Sequence, residues 1–347
     1  MKYDIQAIRQ HFPSLVTGIA FFDGPGGSQV PDVVGQAMNE AITMAISNRG
    51  TVTESERNAD GYVIEFRTAV SDLIGCDPQG VIYGRSWTQL TYDFSRNLSK
   101  IWKPGDEIIV SRLDHDSNIR PWIQAAESVG AIIKWAEFDR TTGELSTSAV
   151  KDLLSSKTRL VAVTGASNTL GTRPNLHEIG EAVHSSQALL YVDGVHLTPH
   201  APIDMKEIGA DFYGFSAYKL MGPHCAVLAA DPALLDTIPN DKLLPSTTVV
   251  PERFEFGTLP YEIMAGVTAA IDFIAGLVPS AASTRRERIL TSMKVLENYE
   301  SAPFAYMESS LLNIPGLKTY GHAKRPTPPL YFALAGIDCI HIFYRFS

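Results

Sequence analysis

From about residue 60 to residue 230 the chain alternates two kinds of hydrophobic pattern. One has helical spacing. Tyr62, Phe66, Val70 and Leu73 fall on one face of a helix, and so do Leu90, Phe94, Leu98 and Ile101. The other consists of short runs that are apolar at nearly every position: Glu107–Ser111, Ala131–Trp135, Leu160–Thr164, Leu189–Asp193, Phe212–Phe215 and Ala226–Ala229. A run without alternation belongs to a strand buried on both sides. Helix-length segments separate the runs. The pattern predicts an α/β fold, a mostly parallel sheet with helices on both faces. Ligands in such sheets bind beyond the carboxyl ends of the strands. His115, Asn168, Asp193 and Lys219 lie at or just after those ends.

After about residue 250 the pattern changes. Helical stretches near 262–277 and 284–310 precede a short strand, Leu330–Leu334. This reads as a smaller C-terminal α+β domain. The expected division is a large domain over 15–250 and a small one over 251–347, with residues 1–14 packing on the small one. No amphipathic closing helix is expected. Ile340 to Phe346 is mostly apolar and aromatic, so the small domain reads as incomplete. Missing strands would leave sheet edges and apolar surface uncovered.

Composition narrows the function classes. The apolar fraction of 45% supports a sizeable core, and 347 residues suffice for one large domain or two ordinary ones. The net charge of −9, with no long basic run, disfavours a nucleic-acid partner. Cys76, Cys225 and Cys339 are far apart and odd in number, so a disulfide framework is not expected and a reducing cytoplasm fits. The first ten residues lack the apolar stretch of a signal peptide, and no run suggests a membrane span. Gly24-Pro25-Gly26-Gly27 lacks the spacing of a dinucleotide fingerprint, which ranks a nicotinamide-dependent dehydrogenase low.

The chemistry centres on Asp193 in Tyr191-Val192-Asp193-Gly194 and Lys219 in Phe215-Ser216-Ala217-Tyr218-Lys219-Leu220-Met221-Gly222-Pro223. A lysine amine and a carboxylate at successive strand ends suit pyridoxal 5'-phosphate. The amine forms a Schiff base with the cofactor aldehyde, and the carboxylate keeps the pyridine nitrogen protonated, so that the ring accepts electrons. A sharp turn after the strand would partly desolvate the lysine and favour its neutral form. The plain alternatives are a helix N-cap for Asp193 and a solvated loop lysine for Lys219. Asp114, His115 and Asp116 invite a metal reading, but adjacent residues rarely aim at one ion and no second histidine cluster has ligand spacing.

Further matches occur in order along the chain: Phe22-Asp23-Gly24-Pro25-Gly26-Gly27-Ser28-Gln29-Val30-Pro31, Leu113-Asp114-His115-Asp116-Ser117-Asn118 and Ala166-Ser167-Asn168-Thr169-Leu170-Gly171-Thr172. With them, residues 20 to 336 resemble the class V aminotransferase and cysteine desulfurase family of fold-type I pyridoxal-phosphate enzymes. The resemblance implies Lys219 as the Schiff-base lysine and Asp193 as the partner of the ring nitrogen. It implies that His115 stacks on the ring and shuttles protons, for which a flat imidazole is suited. Asn168 and His196 would reach the phenolic oxygen, although desulfurases usually carry Gln at the second position. The N–H groups of Ser86 and Trp87, with the hydroxyls of Thr88 and Ser216, would hold the phosphate at a helix N-terminus. Trp87 departs from the family's Gly-Thr-Thr and would narrow the pocket. Tyr218 stands where many desulfurases have His. Thr258, in Phe256-Gly257-Thr258, would reach the phosphate of a neighbouring subunit, which implies a homodimer with a shared active site. Plain readings stand beside these: an Asx turn for Asn168, a structural histidine for His196, N-caps for Ser86 or Thr88, and a simple turn at 256–258.

Two features of a desulfurase are not matched, a mobile cysteine and an arginine that clamps the substrate carboxylate. Family members continue several tens of residues past Ser347. Cys339 reads as a core cysteine, and Arg345 matches no clamp. The resemblance implies an enzyme acting on an amino acid, with carbon–sulfur cleavage of a substrate such as L-cysteine favoured. Transamination, epimerisation and other lyase reactions begin with the same ring chemistry. A non-catalytic pyridoxal-phosphate-binding relative, inactivated by truncation, is the remaining expectation.

Overall fold

The structure, a computed structural model, describes residues 3–346. Seven strands form the main sheet: β1 (Val81–Gly84), β2 (Glu107–Ser111), β3 (Ile132–Ala136), β4 (Thr158–Thr164), β5 (Leu189–Asp193), β6 (Phe212–Ser216) and β7 (Ala226–Ala230). Their order is β1-β7-β6-β5-β4-β2-β3. The strands from β3 to β6 are parallel, and β7 runs antiparallel to both of its neighbours. The predicted runs correspond to β2 through β7. β1 was not anticipated, because four residues between a turn and a helix carry too little pattern.

Side-chain alternation explains why the runs are apolar throughout. Val161, Val163, Leu190, Val192 and Phe215 face one core. There they meet Val63, Phe66 and Val70 of the Glu54–Ile74 helix, Ile179 of Leu176–Ser185, and Met264 and Ile271 of Tyr261–Ala275. Ile108, Val110, Leu160, Ala162, Tyr191 and Phe212 face the other core. Leu90, Phe94 and Leu98 of the Trp87–Ser99 helix cover them, together with Trp122 of Arg120–Val129. Both faces of the central strands are buried, so their middle positions are apolar and polar residues sit at the strand ends. Ile101 departs from the expected helical face. The helix ends at Ser99, and Ile101 is exposed in the turn that follows.

Local signals fix the long helices. Thr53 and Glu56 form a capping box at the start of Glu54–Ile74, and Gly75 ends it at φ +73°. Thr284 and Glu287 repeat the box for Arg285–Leu312. Beyond it β8 (Leu317–Tyr320) pairs antiparallel with β9 (Tyr331–Leu334). Tyr3 packs on Tyr299 at 4.8 Å between ring centroids, and Phe12 meets Phe273 edge-on at 5.7 Å. Contrary to expectation a helix, Cys339–Phe346, follows β9. The Ile340 N–H donates to Asp338 Oδ1 at 2.9 Å, which turns the aromatic run into a helical start. Cys339 is exposed, not a core residue. Among the described residues no helix is long and apolar enough to cross a membrane.

Candidate active site

β4, β5 and β6 end side by side, with Thr164 opposite Asp193 and Asp193 opposite Gly214. The N-terminus of the Trp87–Ser99 helix and the loop after β2 close over these ends. One pocket results, lined by Ser86, Trp87, Thr88, His115, Asn168, Asp193, His196, Ser216 and Lys219. Thr258, the remaining expected residue, lies outside that lining. It is exposed and donates to Asn48 Oδ1 at 3.1 Å.

Asp193 is the last residue of β5 and is 4% exposed. Its Oδ1 accepts the Val195 N–H at 2.9 Å, and its Oδ2 accepts the Trp87 indole N–H at 2.7 Å. Burial raises its proton affinity. The two hydrogen bonds and the positive fields of His115 and Lys219 oppose that rise. Two N–H donors leave a carboxylate with further acceptor sites.

Lys219 follows β6 within a single 3-10 turn, Ala217–Lys219. It is half-buried, and burial lowers its proton affinity against the pull of Asp193. Its Nζ lies 5.7 Å from the centroid of the Tyr218 ring, which stacks on His224 at 5.1 Å. Two residues on, Met221 adopts φ +59°, a left-handed conformation uncommon outside glycine. Ser28 braces this turn. Its N–H and its hydroxyl both donate to the Tyr218 carbonyl, at 2.9 and 3.0 Å, and its Oγ accepts the Met221 N–H at 2.7 Å.

His115 opens a short turn, Asp116–Asn118, and its Nδ1 accepts the Ser117 N–H at 3.1 Å. An Nδ1 that accepts leaves the proton of the neutral ring on Nε2. The preceding Asp114 anchors the loop. It is bonded to the Ser111 hydroxyl and accepts from the Asn118 amide at 2.6 Å, while Asn118 Oδ1 accepts from Trp122 Nε1 at 3.2 Å. Burial pushes the Asp114 carboxyl up to about 8.

His196 is 5% exposed, and burial pushes its pKa down to about 3, so the ring is neutral at pH 7. Its Nε2 lies 3.0 Å from Thr327 Oγ1, which is 3.2 Å from the Gly171 carbonyl. Gly171 has φ +71°, and a Cβ there would come within 2.5 Å of the Thr327 carbonyl oxygen. Thr327 therefore ties the segment before β9 to the turn that follows Asn168.

At the opposite end Ser86 caps its helix, its Oγ accepting the Gln89 N–H at 3.1 Å. The N–H groups of Trp87 and Thr88 precede the first intrahelical bonds, so they are free to hold an anion. Ser216 is buried, 3% exposed, at the end of β6.

These residues fit pyridoxal phosphate. A buried carboxylate with spare acceptor sites suits the ring nitrogen, a half-buried amine suits the aldehyde, and an open helix N-terminus suits the phosphate. Ser28, Asn118 and Thr327 were not anticipated as supports. Ser28 carries a signal, since it follows the glycine-rich turn. Thr327 carries none, because its partner is 131 residues away.

A family model described as aminotransferase class-V matches residues 20–343. An uncharacterized protein of Mycobacterium tuberculosis is 34% identical over 100% of this chain and 87% of its own length. A probable cysteine desulfurase of Mycolicibacterium paratuberculosis is 30% identical over 98% of this chain, which spans 50% of that protein. Among solved structures, an apo cysteine desulfurase from Thermococcus onnurineus superposes with a TM-score of 0.86 at 25% identity, covering 99% of this chain and 85% of that one.

Proposed function

The chain belongs to the aminotransferase class-V family, and from that premise we propose that it is a pyridoxal-phosphate enzyme acting on an amino acid. The favoured reaction is carbon–sulfur cleavage of the cysteine desulfurase kind, with L-cysteine as substrate. The observation that carries the reading is the convergence of Asp193, Lys219 and a helix N-terminus on one pocket. When bound, the cofactor supplies an aldehyde that takes up amines and a ring that draws electrons from the substrate's alpha carbon.

The chain's own residues divide the remaining work. Lys219 holds the aldehyde end and moves the proton at the alpha carbon, for which its lowered proton affinity suits it. Asp193 holds the ring-nitrogen proton. His115 lines the same pocket, where it would lie against the ring, and its Nε2 would carry a second exchangeable proton. Asn168 and His196, which line the same pocket, would hold the phenolic oxygen. The Thr327 hydroxyl gives its one proton to the Gly171 carbonyl, so His196 Nε2–H donates to Thr327 Oγ1 and Nδ1 of the neutral ring is left as an acceptor. The first-turn N–H groups, Ser86, Thr88 and Ser216 hold the phosphate. Thr258 completes that site from a second copy, in a homodimer. The three cysteines are unpaired, which supports a cytoplasmic setting.

The exposed position of Cys339, away from the pocket lining, favours a second reading. Transamination, epimerisation and other lyase reactions need Lys219, His115 and Asp193 but no thiol acceptor. The deciding experiment follows the near-visible absorbance of protein mixed with pyridoxal phosphate, then maps the borohydride-reduced adduct by mass spectrometry. A single adduct on Lys219, followed by sulfide and alanine from L-cysteine, supports the first reading. The same adduct with other amino-acid products supports the second. A folded protein without a Lys219 adduct overturns both.

A further inference from the structure

Trp87 occupies the first position of its helix, where side chains commonly face solvent, yet its indole is 4% exposed. The ring lies stacked on Tyr191, centroids 5.4 Å apart and planes at 30°. It also lies directly over Gly214. A Cβ on that glycine would come within 1.9 Å of Trp87 Cζ3. Gly214 is the β6 residue paired with Asp193, so the sheet leaves a space beside the carboxylate and the indole fills it. The indole Nε1 then sits 2.7 Å from Asp193 Oδ2. An indole N–H can only donate, so this bond has one direction. A short donor to a carboxylate stabilises the anion more than the acid.

Resting on the pyridoxal-phosphate reading, we propose that Trp87 is a positioning residue acting through Asp193. Its N–H keeps the carboxylate oriented and anionic, so that the shared proton stays on the cofactor's ring nitrogen. Oδ1 is fixed by the Val195 N–H and Oδ2 by the indole, which sets the plane of the carboxylate. Without the indole donor Asp193 becomes the stronger base and draws the proton toward its own oxygen. The packing of the ring is a separate contribution, which Trp87→Phe preserves.

The test uses the full chain reconstituted with pyridoxal phosphate labelled with nitrogen-15 in the ring. The ring-nitrogen chemical shift is followed across pH for the unaltered protein, Trp87→Phe and Tyr191→Phe. The expected result is a protonated-type shift in the unaltered protein and in Tyr191→Phe, and displacement toward the unprotonated position in Trp87→Phe. Equal shifts in all three overturn the proposal. Should Trp87→Phe fail to fold or to hold cofactor, the four tryptophans are replaced biosynthetically by 5-fluorotryptophan, whose N–H is the stronger donor. The ring nitrogen then moves toward fuller protonation, and no movement overturns the proposal. If the unaltered protein takes no cofactor on Lys219, the pyridoxal-phosphate reading itself fails and this inference falls with it.

Discussion

Ser28 Oγ accepts the Met221 N–H at 2.7 Å, across 193 residues of chain. The bond steadies a left-handed residue two positions after Lys219. Ser28→Ala removes the acceptor and leaves a partly buried N–H unpaired, at a cost of about 1–3 kcal/mol. The lysine turn should loosen while the sheet stays intact. The expected outcome is a roughly tenfold weaker affinity for pyridoxal phosphate, the equivalent of about 1.4 kcal/mol, with a small change in Tm. Adding Met221→Gly should recover part of the loss, because glycine holds a positive φ without strain. Equilibrium dialysis of the single and double variants checks both statements, and an unchanged affinity in Ser28→Ala would count against the brace.

Gly214 tests the space beneath the indole. Gly214→Ala places a methyl group where Trp87 Cζ3 already lies, 1.9 Å away. Neither β6 nor the Trp87–Ser99 helix can yield, since both are buried in the same core. Overpacking of this kind costs about 1–3 kcal/mol. In the Trp87→Ala background, where the space is free, Gly214→Ala should cost little further stability. Urea unfolding of the two single variants and the double variant gives the coupling, and additive losses would contradict the steric account.

The fold was legible where burial is two-sided. β2 and β5 have the predicted limits, because Ile108 and Ile109, or Tyr191 and Val192, face opposite dry cores and break alternation. Ile101 was misread because helical spacing continues past the last helical turn. The positions of Asp193 and Lys219 were legible because strand ends are where a parallel sheet presents chemistry. Their supports were not. Trp87 reaches Asp193 across 106 residues and His196 reaches Thr327 across 131, contacts set by tertiary packing alone. The indole's direction depends on a missing side chain at Gly214, on a different strand, and no local pattern carries that information.

His196 makes stability depend on pH. Burial holds its folded-state pKa near 3, against an ordinary value of 6.5. Between these values the unfolded chain takes up a proton that the folded chain refuses. Stability is therefore present above pH 6.5 and falls as the pH drops toward about 3. One proton corresponds to a slope of about 1.4 kcal/mol per pH unit. His196→Gln keeps a donor for Thr327 and removes the titration. Urea unfolding at pH 4, 5 and 6 should show a shallower slope for the variant by up to that amount. Parallel slopes would mean that the imidazole is solvated.

Lys219 works in the same direction from the basic side. Burial depresses its proton affinity in the cofactor-free protein, so its charge opposes folding at neutral pH. The unfolded chain holds the proton more tightly, and stability rises with pH between the depressed value and the ordinary one. Lys219→Met removes that charge. The cofactor-free variant should therefore show a higher Tm than the unaltered protein at pH 7. The difference should shrink as the pH approaches the ordinary lysine value. Scanning calorimetry on both proteins at pH 7 and pH 10 decides it, and a lower Tm for the variant at pH 7 would show that the ammonium is stabilised in place.

Thr258 decides whether the site is shared. It is exposed, bonds Asn48 Oδ1, and lies outside the pocket that holds Lys219. If it serves the phosphate of a second copy, chains carrying Lys219→Ala and chains carrying Thr258→Ala should complement each other. In a mixed pair, the site of the second chain keeps its own Lys219 and receives an intact Thr258 from the first. The opposite site lacks both groups. Each homogeneous variant should bind pyridoxal phosphate weakly or fail to fix it with borohydride. Mixing after partial unfolding and refolding should restore tight, reducible binding at one site per pair. Binding that equals the average of the two separate variants would place Thr258 outside the phosphate site and leave each pocket complete within its own chain.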